Sequence, residues 1–283
     1  VHEAGICGDG PAQPGEAIDG GAGPRGRHPE RGLAVVIRVV AGTGGAPHVF
    51  QDPFHKPEMV VALTPMTVLA GVRPLDDLRA DLALLDTDGA RTLADALASG
   101  DLGHYMTAAF AGAADERTLD ALARAGAAAA PQSNLAVAAD ALRSFPGDPG
   151  AMVALGMNVV SLERGEAVYT GAGVLHSYQS GVGVEIMANS DNVVRAGLTP
   201  KTVDVPLLLE LADARPAPAA RPSVTHEPGC FHLETDAEEY ALSVVSGAAV
   251  FEPGPRIVVA VEGGATVVGE VGELSLGRGQ AAF

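Results

Sequence analysis

The sequence predicts a mainly β protein with a block of helices set into it, and three observations point there. Beyond Pro146, short β-rich runs alternate with glycines. Between residues 67 and 145, apolar residues recur instead at three- and four-residue spacing. A proline-rich stretch, 216–222, then sets off a second β-rich region.

In chain order, residues 1–45 are dense in Gly and Pro through Gly32, and 20–28 have no period of 2 or 3.6. Such a segment has little apolar surface to offset its ordering entropy. Within it only 33–40, LAVVIRVV, reads as a buried strand. Pro53 and Pro57 then impose extended or turning backbone, and 59–64 reads as a strand leaving that turn, with His55, Lys56 and Glu58 at its lip. Leu75, Leu78, Leu82 and Leu85 mark an amphipathic helix, with further ones over 92–98, 116–125 and 135–142. Gly100, Gly126 and Pro131 are expected to end helices and Asp115 to cap one. His104 and Tyr105 are expected to be packing or surface residues. Past Pro146, strands are expected over 159–162, 167–170 and 183–187, then a short apolar element over 207–211. The last region adds strands over 240–245, 256–262, 266–269 and 273–276 and a final one after the turn 277–279. Strands this short and this regularly punctuated suggest a sandwich or barrel.

A chain of 283 residues, 47% apolar and 19% charged, can bury a core and makes one large domain or two ordinary ones. Eighteen Lys and Arg against thirty-five Asp and Glu leave a net charge of −17, which disfavours nucleic acid and anionic membranes as partners. Only Lys56 and Lys201 are lysines. Cys7 and Cys230 are isolated and imply neither a disulfide framework nor a zinc ribbon. No apolar run approaches the ~18 residues of a membrane span, and no basic-then-apolar leader opens the chain, so a soluble cytoplasmic protein is expected.

The scarce residue types gather in two places, HKPEM at 55–59 and the stretch 173–204. Glu58 and His176 offer a carboxylate oxygen and an imidazole nitrogen, a reasonable pair of ligands for a metal such as zinc. Lys56, Arg195 and Lys201, converging, would hold a phosphate or another compact anion. Taken one by one, each has a plainer reading: a surface ion pair, a satisfied histidine, a Ser-Asp-Asn turn. Their coincidence in two short segments favours a site.

HKPEMVVALTP, LHSY, the run EIMANSDNVVRAGLTPK and VDVP together resemble the type I mannose-6-phosphate isomerases, over about residues 46–213. The resemblance implies a cupin-type jelly roll (a double-stranded β-helix) with an α-helical insertion, followed by a second, truncated cupin-like β domain. Mapped onto the sequence, it gives an incomplete catalytic cupin domain over 46–66 and 150–213, the insertion over 67–149, and the second domain over 214–283, with 1–45 unassigned and expected to differ from the family's own N-terminus. It implies zinc-dependent interconversion of mannose 6-phosphate and fructose 6-phosphate through a cis-enediol. The enzyme would be a cytoplasmic monomer of carbohydrate metabolism, serving GDP-mannose biosynthesis, whose partner is a small sugar phosphate rather than nucleic acid or membrane. Glu58 and His176 match zinc ligands. Lys56, Glu185 and Arg195 match catalytic positions, with Glu185 the first candidate for the proton-shuttling base and Lys56 the second. Lys201, Tyr178 and Asp191 match substrate-binding positions.

The family draws its other two ligands from a Gln-x-His-Pro strand, and no Gln-x-His occurs in this chain, so the predicted zinc site has an incomplete ligand set unless His48 or His55 substitutes. The alternative is a metal-depleted cupin that binds sugar phosphate without turnover. A cupin epimerase or dioxygenase is weaker, because the clustered HxH of many cupins is absent.

Overall fold

Strands form where β-branched residues cluster and helices where leucine and alanine take over, as the computed structural model of the chain shows for residues 3–5, 32–39, 55–190, 193–270 and 272–283. Strands β1 (Glu3–Gly5), β2 (Leu33–Val39), β3 (Glu58–Ala62) and β4 (Met66–Val72) come first. Helices α1 (Leu75–Ala83), α2 (Asp88–Ala96), α3 (Gly103–Ala108), α4 (Glu116–Ala128), α5 (Asn134–Ser144) and α6 (Gly150–Leu155) follow. Strands β5 (Met157–Leu162), β6 (Ala167–Thr170), β7 (His176–Ser180), β8 (Gly183–Met187) and β9 (Val193–Arg195) then lead to helix α7 (Val205–Leu211). Last come β10 (Ser223–Glu227), β11 (Cys230–Glu234), β12 (Tyr240–Val245), β13 (Arg256–Glu262), β14 (Gly264–Gly269), β15 (Gly272–Gly277) and β16 (Ala281–Ala282).

The chain divides into two compact units, one of residues 1–10 and 43–221, the other of 11–42 and 222–283. In the first, two antiparallel three-stranded sheets, β6-β3-β8 and β5-β4-β7, close on an apolar layer of Val60, Ala62, Met66, Val68, Ala70, Val160, Leu162 and Val168. Leu69, by alternation, and Val72, past a register shift after Leu69, point the other way. Leu69 and Val72 pack with Leu78, Leu93, Leu122 and Met152 in the core of the helical block, so β4 is buried on both faces. Tyr105 is buried there, its hydroxyl donating to the Met152 carbonyl at 2.7 Å.

In the second unit the expected strand at 33–40 is β2. It lies in a six-stranded sheet of order β10-β11-β12-β2-β13-β16, paired antiparallel on both sides. Its central β-branched run, Val35 to Ile37, suits a strand hydrogen-bonded along both edges. Hairpin β14–β15 forms a two-stranded sheet of its own.

Several expectations need correction. Residues 67–72 belong to a strand and not to the helical block; with both faces buried, β4 carries no period-2 signal. Helix α6 stands where β structure was expected; it is buried on all sides and has no polar face to reveal it. Gly126 lies inside α4 and does not end it: a Cβ there would meet Ala139 Cβ at 2.3 Å, so glycine lets α4 and α5 approach. Strands β7, β10 and β11 were not anticipated, because polar residues interrupt their apolar pattern, nor was β9, which is only three residues long. Residues 216–221 pair with strands of the first unit, Ala217 N–H donating to the Val72 carbonyl and Tyr169 N–H to that of Ala220. The Asp115 cap is present, its side chain accepting from Thr118 N–H, and Gly100 closes a helical turn at positive φ. Among the described residues no helix is long and apolar enough to cross a membrane.

Candidate active site

One end of the layer between the two sheets of the first unit is polar. The parity of β3 is responsible: Glu58, Val60 and Ala62 share a face, so the strand that contributes Val60 and Ala62 to the apolar layer delivers Glu58 at its mouth. The register of β8 sets Glu185 opposite Val60 and Met187 opposite Glu58. On the facing sheet, β7 sets His176 opposite Ala70 and Tyr178 opposite Val68. Four polar side chains from two sheets thereby reach one place.

Glu58 is 4% exposed and Lys56 7%. Two buried charges are tolerated only when paired. Lys56 Nζ lies 2.9 Å from Glu58 Oε1, while His176 Nε2 lies 3.1 Å from Glu58 Oε2. The Nδ1 atom of His176 is 3.0 Å from the Val174 carbonyl, which can only accept, so Nδ1 carries the hydrogen and Nε2 is turned to the carboxylate. Tyr178 donates its hydroxyl to Glu185 Oε1 at 2.5 Å, and its ring lies 6.0 Å from that of His176. Thr170, opposite Glu58 on β6 and buried, donates its hydroxyl to the Glu58 carbonyl at 3.4 Å.

The two carboxyls are driven in opposite directions. Burial pushes Glu58 up, but the hydrogen bonds and charges of His176 and then Lys56 outweigh it and hold the group at about 2. Burial also pushes Glu185 up; the Tyr178 hydroxyl works against the rise, and the neighbouring Glu58 charge adds to it. Glu58 is held as an anion, and Glu185 is the readier proton carrier.

The donor set suits a zinc-type cation at Glu58 and His176. Bonds of about 2.0–2.2 Å place neighbouring tetrahedral ligands about 3.3 Å apart, close to the spacing found between Nε2 and Oε2. Among the described residues no group of three His, Cys, Asp or Glu is arranged to hold a metal. His55 is half-buried, and His48 lies outside the described residues.

Of the residues singled out by sequence, Lys56, Glu58, His176, Tyr178 and Glu185 are therefore brought together. Arg195, half-buried at the end of β9, and Lys201, exposed, stand outside this hydrogen-bonded group. Asp191 lies outside the described residues. Sequence reasoning missed Thr170 and the Val174 carbonyl. Neither carries a signal, since one is an ordinary strand threonine and the other is backbone.

The mannose-6-phosphate isomerase of Bos taurus is 32% identical over 213 residues, covering 68% of this chain and 49% of that protein. That of Salmonella typhimurium is 34% identical over 205 residues, 69% of this chain and 51% of that protein. This chain belongs to the mannose-6-phosphate isomerase family. It spans about half the length of the curated relatives it matches. No protein-family model matches it. Among solved structures, a Salmonella typhimurium mannose 6-phosphate isomerase bound to its substrate, fructose 6-phosphate, and to zinc superposes with a TM-score of 0.73 at 25% identity, covering 89% of this chain and 70% of that one. A zinc-bound holo mannose 6-phosphate isomerase shares the fold, with a TM-score of 0.67 at 23% identity over 89% of this chain and 70% of that one. The fold class is thus the one the resemblance implied, a mainly β cupin-type architecture with a helical insertion.

Proposed function

We propose that the chain is a zinc-dependent aldose–ketose isomerase that interconverts mannose 6-phosphate and fructose 6-phosphate through a cis-enediol. The observation that carries this reading is the convergence, from two sheets, of Glu58 paired with Lys56 and His176 and of Glu185 held by the Tyr178 hydroxyl. The names of its relatives, and the zinc and fructose 6-phosphate bound by a solved neighbour, support the same reading.

Glu58 and His176 would hold the zinc. When bound, that ion supplies polarisation of the sugar oxygens and charge stabilisation. An aldose–ketose isomerisation moves one proton between C2 and C1. Glu185 takes the proton from C2 of the aldose and returns it to C1, and the reverse reaction retraces the path. Lys56, paired with Glu58, supplies positive charge beside the reacting oxygens and is the second candidate for the proton transfer. Arg195 offsets the negative charge of the enediolate. Lys201 takes the phosphate, and Tyr178 and Asp191 complete the substrate pocket. The substrate is a small sugar phosphate feeding GDP-mannose synthesis. The enzyme acts as a cytoplasmic monomer without nucleic-acid or membrane partners.

The test is conversion of mannose 6-phosphate to fructose 6-phosphate by purified protein with and without added zinc. Zinc-dependent conversion is expected. Sugar-phosphate binding without any conversion, by protein that holds zinc, would overturn the proposal.

A further inference from the structure

Tyr178 and Glu185 stand on different sheets and meet through one short hydrogen bond, hydroxyl to Oε1 at 2.5 Å. Glu185 lies on β8, an edge strand, and its side chain has an exposed side. A glutamate so placed has several rotamers open to it, only some of which present a carboxylate oxygen to a substrate in the layer. Tyr178 also lies on an edge strand, β7, but it is half-buried and packs against the apolar layer that holds Val60, Val68 and Val160. It is a rigid arm with a single O–H to donate, and that hydrogen is already committed to a carboxylate.

We infer that Tyr178 is a positioning residue: its hydroxyl fixes one oxygen of Glu185 and leaves the other for proton exchange with the substrate. The inference rests on the isomerase reading above and changes the role of Tyr178 from binding the sugar to orienting the base.

The two roles separate in steady-state kinetics of the zinc-loaded enzyme. Y178F keeps the ring and removes only the hydroxyl. It is expected to lower kcat on the order of 10- to 100-fold, the usual weight of a hydrogen bond to a charged group, with KM for mannose 6-phosphate within about twofold and zinc content unchanged. E185Q should lose more, and Y178F/E185Q should be no slower than E185Q, because the hydroxyl acts only through the carboxylate. E185D withdraws the carboxylate by one methylene from the same hydroxyl, so adding Y178F to it should cost little further. Additive losses in these pairs, or a Y178F enzyme with raised KM and unchanged kcat, would overturn the inference and leave the isomerase reading standing. A zinc-loaded wild-type chain with no isomerase activity overturns both.

Discussion

Glu58 and His176 face each other across two sheets, with Oε2 and Nε2 3.1 Å apart, and the second nitrogen of the histidine is tied to the Val174 carbonyl. Each atom that would touch a cation is oriented by a partner on its far side, Lys56 for the carboxylate and Val174 for the imidazole.

Zinc retention should accordingly depend on both residues. H176A and E58Q are each expected to lower zinc affinity at least tenfold in competition with a chelator, and the double variant should retain none after dialysis. Equal retention by wild type and E58Q would remove Glu58 from the ligand set.

Arg195 is expected to act on turnover. R195A should lower kcat/KM for mannose 6-phosphate on the order of a hundredfold or more, while the zinc content of the purified protein stays at the wild-type level. K201A should instead raise KM with a smaller change in kcat. Wild-type kinetics for R195A would remove Arg195 from the site.

Gly126 tests the helical block. Replacing a mid-helix glycine by alanine ordinarily gains about 1 kcal/mol. Here the new Cβ would lie 2.3 Å from Ala139 Cβ and 2.5 Å from the Leu135 carbonyl oxygen, one of them backbone, and overpacking of that kind costs about 1–3 kcal/mol. Overpacking is the larger effect, so G126A should shift the urea midpoint downward. An unchanged or higher midpoint would show that α4 and α5 can separate without cost.

Cys230 gives a pH-dependent readout in the second unit. Burial, and then the charge of Glu227, push its thiol up, so at a given pH less of it is the reactive thiolate than in an unfolded chain. Alkylation followed by peptide mapping, which reads Cys230 apart from Cys7, should show slow labelling near neutral pH that accelerates only in more alkaline solution. E227Q removes one of the two causes and should move that profile toward lower pH. Labelling of native Cys230 as fast as in urea would contradict its burial.

Much of the site was legible in sequence because its lysine and tyrosine are rare in this chain and its residues sit in short contiguous motifs. Lys56 and Glu58 share HKPE, joined by a short ion pair where β3 begins, and His176 and Tyr178 share LHSY at strand spacing on β7. Secondary structure was legible where burial was one-sided, as in α1 with Leu75, Leu78 and Leu82 turned inward. It was not legible where burial was two-sided, as in β4 and α6, since periodicity needs a polar face to contrast with the apolar one.

By itself, the sequence determined which residues have the chemistry and that strands enclose a helical block, because residue type, local spacing and turn residues are properties of contiguous chain. Only the tertiary structure decided that Glu58 and His176, far apart along the chain, come within hydrogen-bond distance, and that Tyr178 reaches Glu185 and not only the substrate. It also decided that 33–39 forms a strand in the sheet of the second unit. Strand register and sheet packing set these relationships, and both depend on burying apolar surface between segments that no local pattern can pair.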